Sequence, residues 1–144
     1  MKSTVAGFKW LEVSGSSAYE GTKKGWREML SFVLAISLVL AAMLHECGHY
    51  LCAQFVGVRV KKWRAVYMVR ESGTPAQNLA ISVCGPMTNF VLAGAIMLTP
   101  WLHIYAVAFC LANWCVGFFN VLPIRYSDGC RIAALLSQAA NAPG

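Results

Sequence analysis

The stretch "MLSFVLAISLVLAAMLHECGHYLCAQF", residues 29–55, decides how the chain is read. It is apolar for longer than the roughly 20 residues that a helix needs to cross a bilayer. Near its end it carries His45-Glu46-Cys47-Gly48-His49, residues that a membrane span ordinarily excludes. An acid at the bilayer centre costs about 2.5–3.5 kcal/mol on insertion scales, so its presence there marks a functional site.

The spacing indicates which chemistry. His45 and His49 are four apart, so one helical face presents both imidazoles to a common point. Glu46 follows the first histidine and can reach a water held at that point. This is the H-E-x-x-H arrangement of zinc hydrolases, two neutral imidazole ligands beside a general base. Such a centre needs a third protein ligand and an open position for water. Cys47 lies in the same turn but points away from the face that the histidines share.

Composition agrees with a membrane setting. Of 144 residues, 58% are hydrophobic and 12% charged, against about 25% charged in soluble domains. The apolar residues come in long blocks rather than alternating or helical stripes. The net charge of +6 comes mainly from Lys and Arg at 2–27 and 59–70, which flank the blocks. Basic flanks of this kind meet anionic lipid head groups, and no nucleic-acid-reading motif accompanies them. The six cysteines form no C-x-x-C pair and lie mostly in apolar blocks, where a free thiol acts as a small apolar residue.

The expected architecture is an all-α polytopic membrane protein. Residues 1–28 read as a polar N-terminal arm, with Phe8, Trp10 and Leu11 as interfacial side chains. Residues 29–144 form the core. Its spans are placed at about 29–55, 78–99 and 101–122. Pro100 with Trp101 marks a tight turn between the second and third spans, and Pro123 ends the third. Between the first two spans, 56–75 is rich in Val, Tyr and Trp and partly alternates, which predicts a small β-hairpin. Residues 129–140 predict a short C-terminal helix.

The chain has a single aspartate, Asp128, in "FNVLPIRYSDGCRI" directly after the third span. Asp-Gly ordinarily marks a turn, and a turn here would also allow the carboxylate to fold back toward the first span. Asp128 is the best candidate for the third ligand. His103 sits at a span's start, and Glu12, Glu20, Glu28 and Glu71 lie in polar flanks. Asn89 and Asn120 are amides inside apolar spans. They serve either as hydrogen-bond donors to a substrate or developing oxyanion or as packing links between helices. For Asn113 the packing role is favoured.

Three stretches together resemble the site-2 protease family of intramembrane zinc metalloproteases. "HECGH" is similar to its H-E-x-G-H, "GPMTN" (85–89) to its G-P-x-x-N, and "NVLPIRYSDG" (120–129) to its N-x-x-P-x-x-x-x-D-G, in the family's order. The likeness runs from about residue 29 to 136. Arg125, Tyr126, Ser127 and Cys130 depart from the family's usual residues around the aspartate.

The resemblance implies a three-helix core, with one zinc per chain held by His45, His49 and Asp128 and a water activated by Glu46. It implies a zinc metalloendopeptidase that is integral to the lipid bilayer and cuts a transmembrane protein substrate. The rival reading is a catalytically silent relative that binds transmembrane partners. The presence of all four site residues argues against that rival.

Overall fold

A computed structural model describes residues 4–64, 67–100 and 103–141, with side chains from residue 20 onward. The elements in chain order are helix α1 (Thr4–Phe55), strands β1 (Val60–Arg64) and β2 (Tyr67–Arg70), and helices α2 (Pro75–Met97), α3 (Ile104–Val121) and α4 (Asp128–Ala140). The chain divides into two compact units, Met1–Ala35 and Ile36–Gly144. Three of the helices are long and apolar enough to cross a membrane. The expected fold class, three spans with a hairpin between the first and second, is the observed one.

The N-terminal segment differs in form from an arm, since residues 4–28 are the opening turns of α1. Extending an existing helix adds a hydrogen bond per residue without a new nucleation cost. A long apolar helix can therefore draw polar neighbours into register despite their Gly and Ser. In this first unit Trp26 and Phe32 are exposed. Phe8, Trp10 and Leu11 lie outside the described side chains, and Trp101 of the expected turn lies outside the described residues.

In the second unit, α1 ends in a Schellman turn. Gly57 takes a left-handed φ of 76°. Its N–H donates to the Gln54 carbonyl (3.2 Å), and the Val58 N–H reaches back to Ala53 (2.8 Å). This closes the orphan carbonyls of the last turn. Ala53, Val58 and Ile81 form a small buried cluster with Met68 packed on it, which joins the end of α1 to the hairpin and α2.

β1 and β2 pair antiparallel, with Lys62 opposite Val69 and Arg64 opposite Tyr67, and a register shift between Val60 and Lys62. The Glu71 N–H donates to the Arg59 carbonyl on the β1 side. Backbone donors alternate along a strand. The N–H groups of Val69 and Tyr67 therefore also face β1, while those of Met68 and Arg70 point to the free edge.

α2 begins three residues earlier than expected, because "TPAQ" (74–77) supplies a full start signal. Thr74 and Gln77 form a reciprocal capping box with Pro75 at the first helical position. α2 remains one helix through Pro86. Small residues let helices approach closely in lipid, and the buried Ala93, Ala108 and Ala112 on α2 and α3 fit that rule. Gly117 leaves room for the Phe90 ring, which packs 5.2 Å from Trp114 and 5.3 Å from Phe118.

Candidate metal centre

The two histidines project from α1 toward α2 and the start of α4. His49 Nδ1 lies 2.6 Å from the Ile81 carbonyl. A carbonyl can only accept, so this nitrogen carries the proton, which leaves Nε2 as the ligand nitrogen whenever the ring is neutral. A backbone partner of this kind is what orients a metal-binding imidazole. His45 Nδ1 is buried with no partner among the described residues. His45 Nε2 and His49 Nε2 stand 3.1 Å apart, with Asp128 Oδ2 at 2.9 Å from the first and 3.0 Å from the second.

Three ligand-type atoms from three buried residues thus converge on one point. Nitrogen ligands held 2.0–2.1 Å from a tetrahedral zinc would stand about 3.3 Å apart, close to the separations here. Two imidazoles and a carboxylate are also a chemically suitable donor set. Burial alone would raise the Asp128 carboxyl, but the two imidazole nitrogens beside it outweigh that and hold it well below the ordinary carboxylate range. A metal-binding carboxylate must be ionised.

Glycines make the convergence possible. A Cβ on Gly85 would run into the rings of His49 and His45, and one on Gly48 into Thr88 and the Cys84 carbonyl. Each helix is therefore bare where the other's side chains pass.

Asp-Gly does not form the turn that the sequence suggests. Tyr126 takes the left-handed φ, at 73°, and Ser127 caps α4 by accepting from the Cys130 N–H (3.2 Å). Asp128 is the first residue of α4. Gly129 instead packs where a Cβ would strike the Val121 and Leu122 carbonyls at the end of α3.

The triad opens onto a cavity of about 520 Å3 that Glu46 and Asn120 also line. Asn120 Nδ2 donates to Val116 within its own helix, and its amide oxygen has no recorded bond. Asn89 is not on the cavity wall. It is fully buried, and neither of its amide atoms has a partner among the described residues. Asn113 donates to the Phe109 carbonyl (2.9 Å) on its own helix, which does not link helices.

The sequence reading did not single out Arg70, Arg131, Asn78, Tyr67 or Tyr126 as site residues, yet all line this cavity. β2 runs along it and β1 does not. The sequence signal that could have placed Arg131 was its position one helical turn beyond Asp128.

No protein-family model matches the chain. A curated zinc metalloprotease from Methanocaldococcus jannaschii is 27% identical, over 74% of this chain and 35% of its own length. The solved structure of a site-2 protease from the same organism matches with a TM-score of 0.60 at 26% identity, covering 74% of this chain and 55% of that one. These matches support assignment to the site-2 protease family. With the site-2 protease fold and three long apolar helices, the protein is an integral, multi-pass membrane protein. It spans about a third of the length of the curated relative and about half of the solved one.

Proposed function

We propose that the chain is an intramembrane zinc-dependent endopeptidase acting on membrane-embedded or membrane-adjacent protein substrates. The observation that carries this reading is the meeting of His45, His49 and Asp128 beside Glu46 in one cavity. The names of the two relatives support it. His45, His49 and Asp128 would hold the metal. When bound, zinc supplies Lewis acidity, acidifying water to a pKa of about 7 and polarising a carbonyl.

The chain's own residues account for the rest of the chemistry. The Glu46 carboxylate accepts a proton from the attacking water and passes it to the departing amine. Asn120, at the cavity wall, donates to the oxygen that gains charge. A transmembrane substrate must unwind before its carbonyls are accessible. The free edge of β2 then offers the Met68 and Arg70 N–H groups for strand pairing. A silent relative that only binds partners would need none of this constellation.

Glu46→Gln tests the reading, because it keeps size and polarity while removing the proton acceptor. Zinc content should stay near one per chain while cleavage of a transmembrane substrate falls by about 100-fold or more. Undiminished cleavage would refute the general-base role, and absence of zinc from the wild-type protein would refute the metal reading.

A further inference from the structure

The cavity beside the triad contains a second cluster that the hydrolytic mechanism does not use. Arg70 comes from β2 and Arg131 from α4, and both line the same space as His45, His49 and Asp128. Arg70 is half-buried and held in place. Its guanidinium donates to Asn78 Oδ1. Asn78 is itself fixed from both sides of its amide, donating to the Gly73 carbonyl (2.8 Å) and accepting from the Gly73 N–H (3.4 Å). A guanidinium has five N–H donors, and among the described residues Asn78 is the recorded partner for one of them.

Two of the anions that line the cavity have other neighbours. Asp128 faces the imidazoles, and Glu71 lies 3.8 Å from Lys61. Glu46 lines the cavity without an ion pair to either arginine among the described residues. Both guanidinium groups line this one cavity, and burial and then the like charge of Arg131 lower the Arg70 guanidinium from its ordinary value while Asp128 raises it. Two cations line one polar cavity, one of them anchored through Asn78, and a guanidinium's planar donors suit a carboxylate.

We infer that Arg70 and Arg131 form a carboxylate-binding subsite beside the metal centre, which engages a carboxylate carried by the peptide substrate. The inference rests on the peptidase reading and adds a substrate preference to it. The carboxylate has two possible sources, an acidic side chain near the scissile bond or a free C-terminus. A peptide is favoured over a lipid head group because the space between the arginines is the space that the triad, Glu46 and the β2 edge also face. An occupant that reaches the arginines is therefore in the reaction cavity.

The test uses full-length, zinc-loaded Glu46→Gln protein in neutral detergent, so that binding is read without turnover. One set of apolar membrane-spanning peptides carries Glu or its isostere Gln, walked across the central positions. A second set ends in a carboxylate or an amide. In at least one set the acid should bind about tenfold more tightly than its amide, the scale of one charge-assisted hydrogen bond, and that set identifies the source. Arg131→Gln should cancel the preference. Arg131→Glu should invert it in favour of a Lys peptide, a swap that a purely structural arginine would not produce. Because Arg131 is exposed on α4, both variants are expected to keep their zinc.

Equal affinity for every acid and amide pair in zinc-loaded protein would overturn the subsite while leaving the peptidase reading intact. If the arginine variants lose binding to phosphatidylglycerol vesicles but keep the peptide preference, the ligand is a lipid phosphate and the inference fails. If the wild-type protein neither holds zinc nor cleaves, both readings fail together.

Discussion

One wall of the cavity is made by α1, α2 and the first turn of α4. It presents the buried side chains of His45, His49, Ile81, Ser82 and Asp128 on helices, with His49 fixed by a carbonyl and the helices fitted through glycines that admit the neighbour. The other wall, β2 and the turn before α4, carries half-buried or exposed side chains on short elements, with Tyr126 85% exposed. The first wall has almost no freedom to adapt, whereas the second can accept different partners. A hydrolase needs this division, because the metal geometry must stay fixed while the substrate must enter and leave.

The sharpest way to break the first wall is to remove a ligand. His45→Ala, His49→Ala or Asp128→Ala should each weaken zinc binding by more than the roughly 10- to 100-fold that loss of an outer partner costs. Metal analysis of the purified protein measures this, and full occupancy in Asp128→Ala would remove that residue from the ligand set. Gly85→Ala attacks the same wall without touching a ligand. Its methyl group would meet both imidazoles, so it should lose zinc and destabilise the protein by about 1–3 kcal/mol. Gly94 has open space around its Cα, so Gly94→Ala on the same helix should instead leave the protein as stable or up to about 1 kcal/mol more so. Thermal melts of the two variants make the comparison.

The two intramembrane amides separate the cavity from the packing around it. Asn120→Ala should keep zinc and reduce kcat by about 100- to 1,000-fold if its amide serves the oxyanion. Asn89→Leu removes a buried amide that has no partner among the described residues and should raise the melting temperature. A kcat effect confined to Asn89 would reverse these placements. The smallest expected effect belongs to the adaptable wall. Met68→Pro deletes a donor on the free edge of β2 and should slow cleavage several-fold with zinc retained, whereas Met68→Leu, which keeps the donor and the packing, should not. If both cleave at the same rate, the edge does not pair with substrate.

The difference between the walls also explains what was legible in the sequence. The long helices announce themselves through apolar blocks, and His45, Glu46 and His49 through a spacing that only a helix turns into one face. Asp128 could be found because the chain has no other aspartate. Arg70, Asn78 and Arg131 carry no such mark. They are brought together by a two-stranded hairpin and a capped turn, so their meeting depends on tertiary contacts that periodicity does not encode. Tyr126 is a further case. A left-handed tyrosine has no sequence signature, and Asp-Gly next to it points to the wrong residue as the turn. The helical form of residues 4–28 was hidden because their Gly and Ser disfavour a helix that the adjoining span then propagates.

His45 and Asp128 meet across 83 positions of chain. At a synthesis rate of 5–20 residues per second, the two imidazoles exist for roughly 4 to 17 s before their carboxylate partner is made. An ion that arrived in that interval would find only two ligands and could leave readily. Closure of the three-ligand centre therefore waits until Asp128 has been made and the start of α4 has docked beside the two imidazoles.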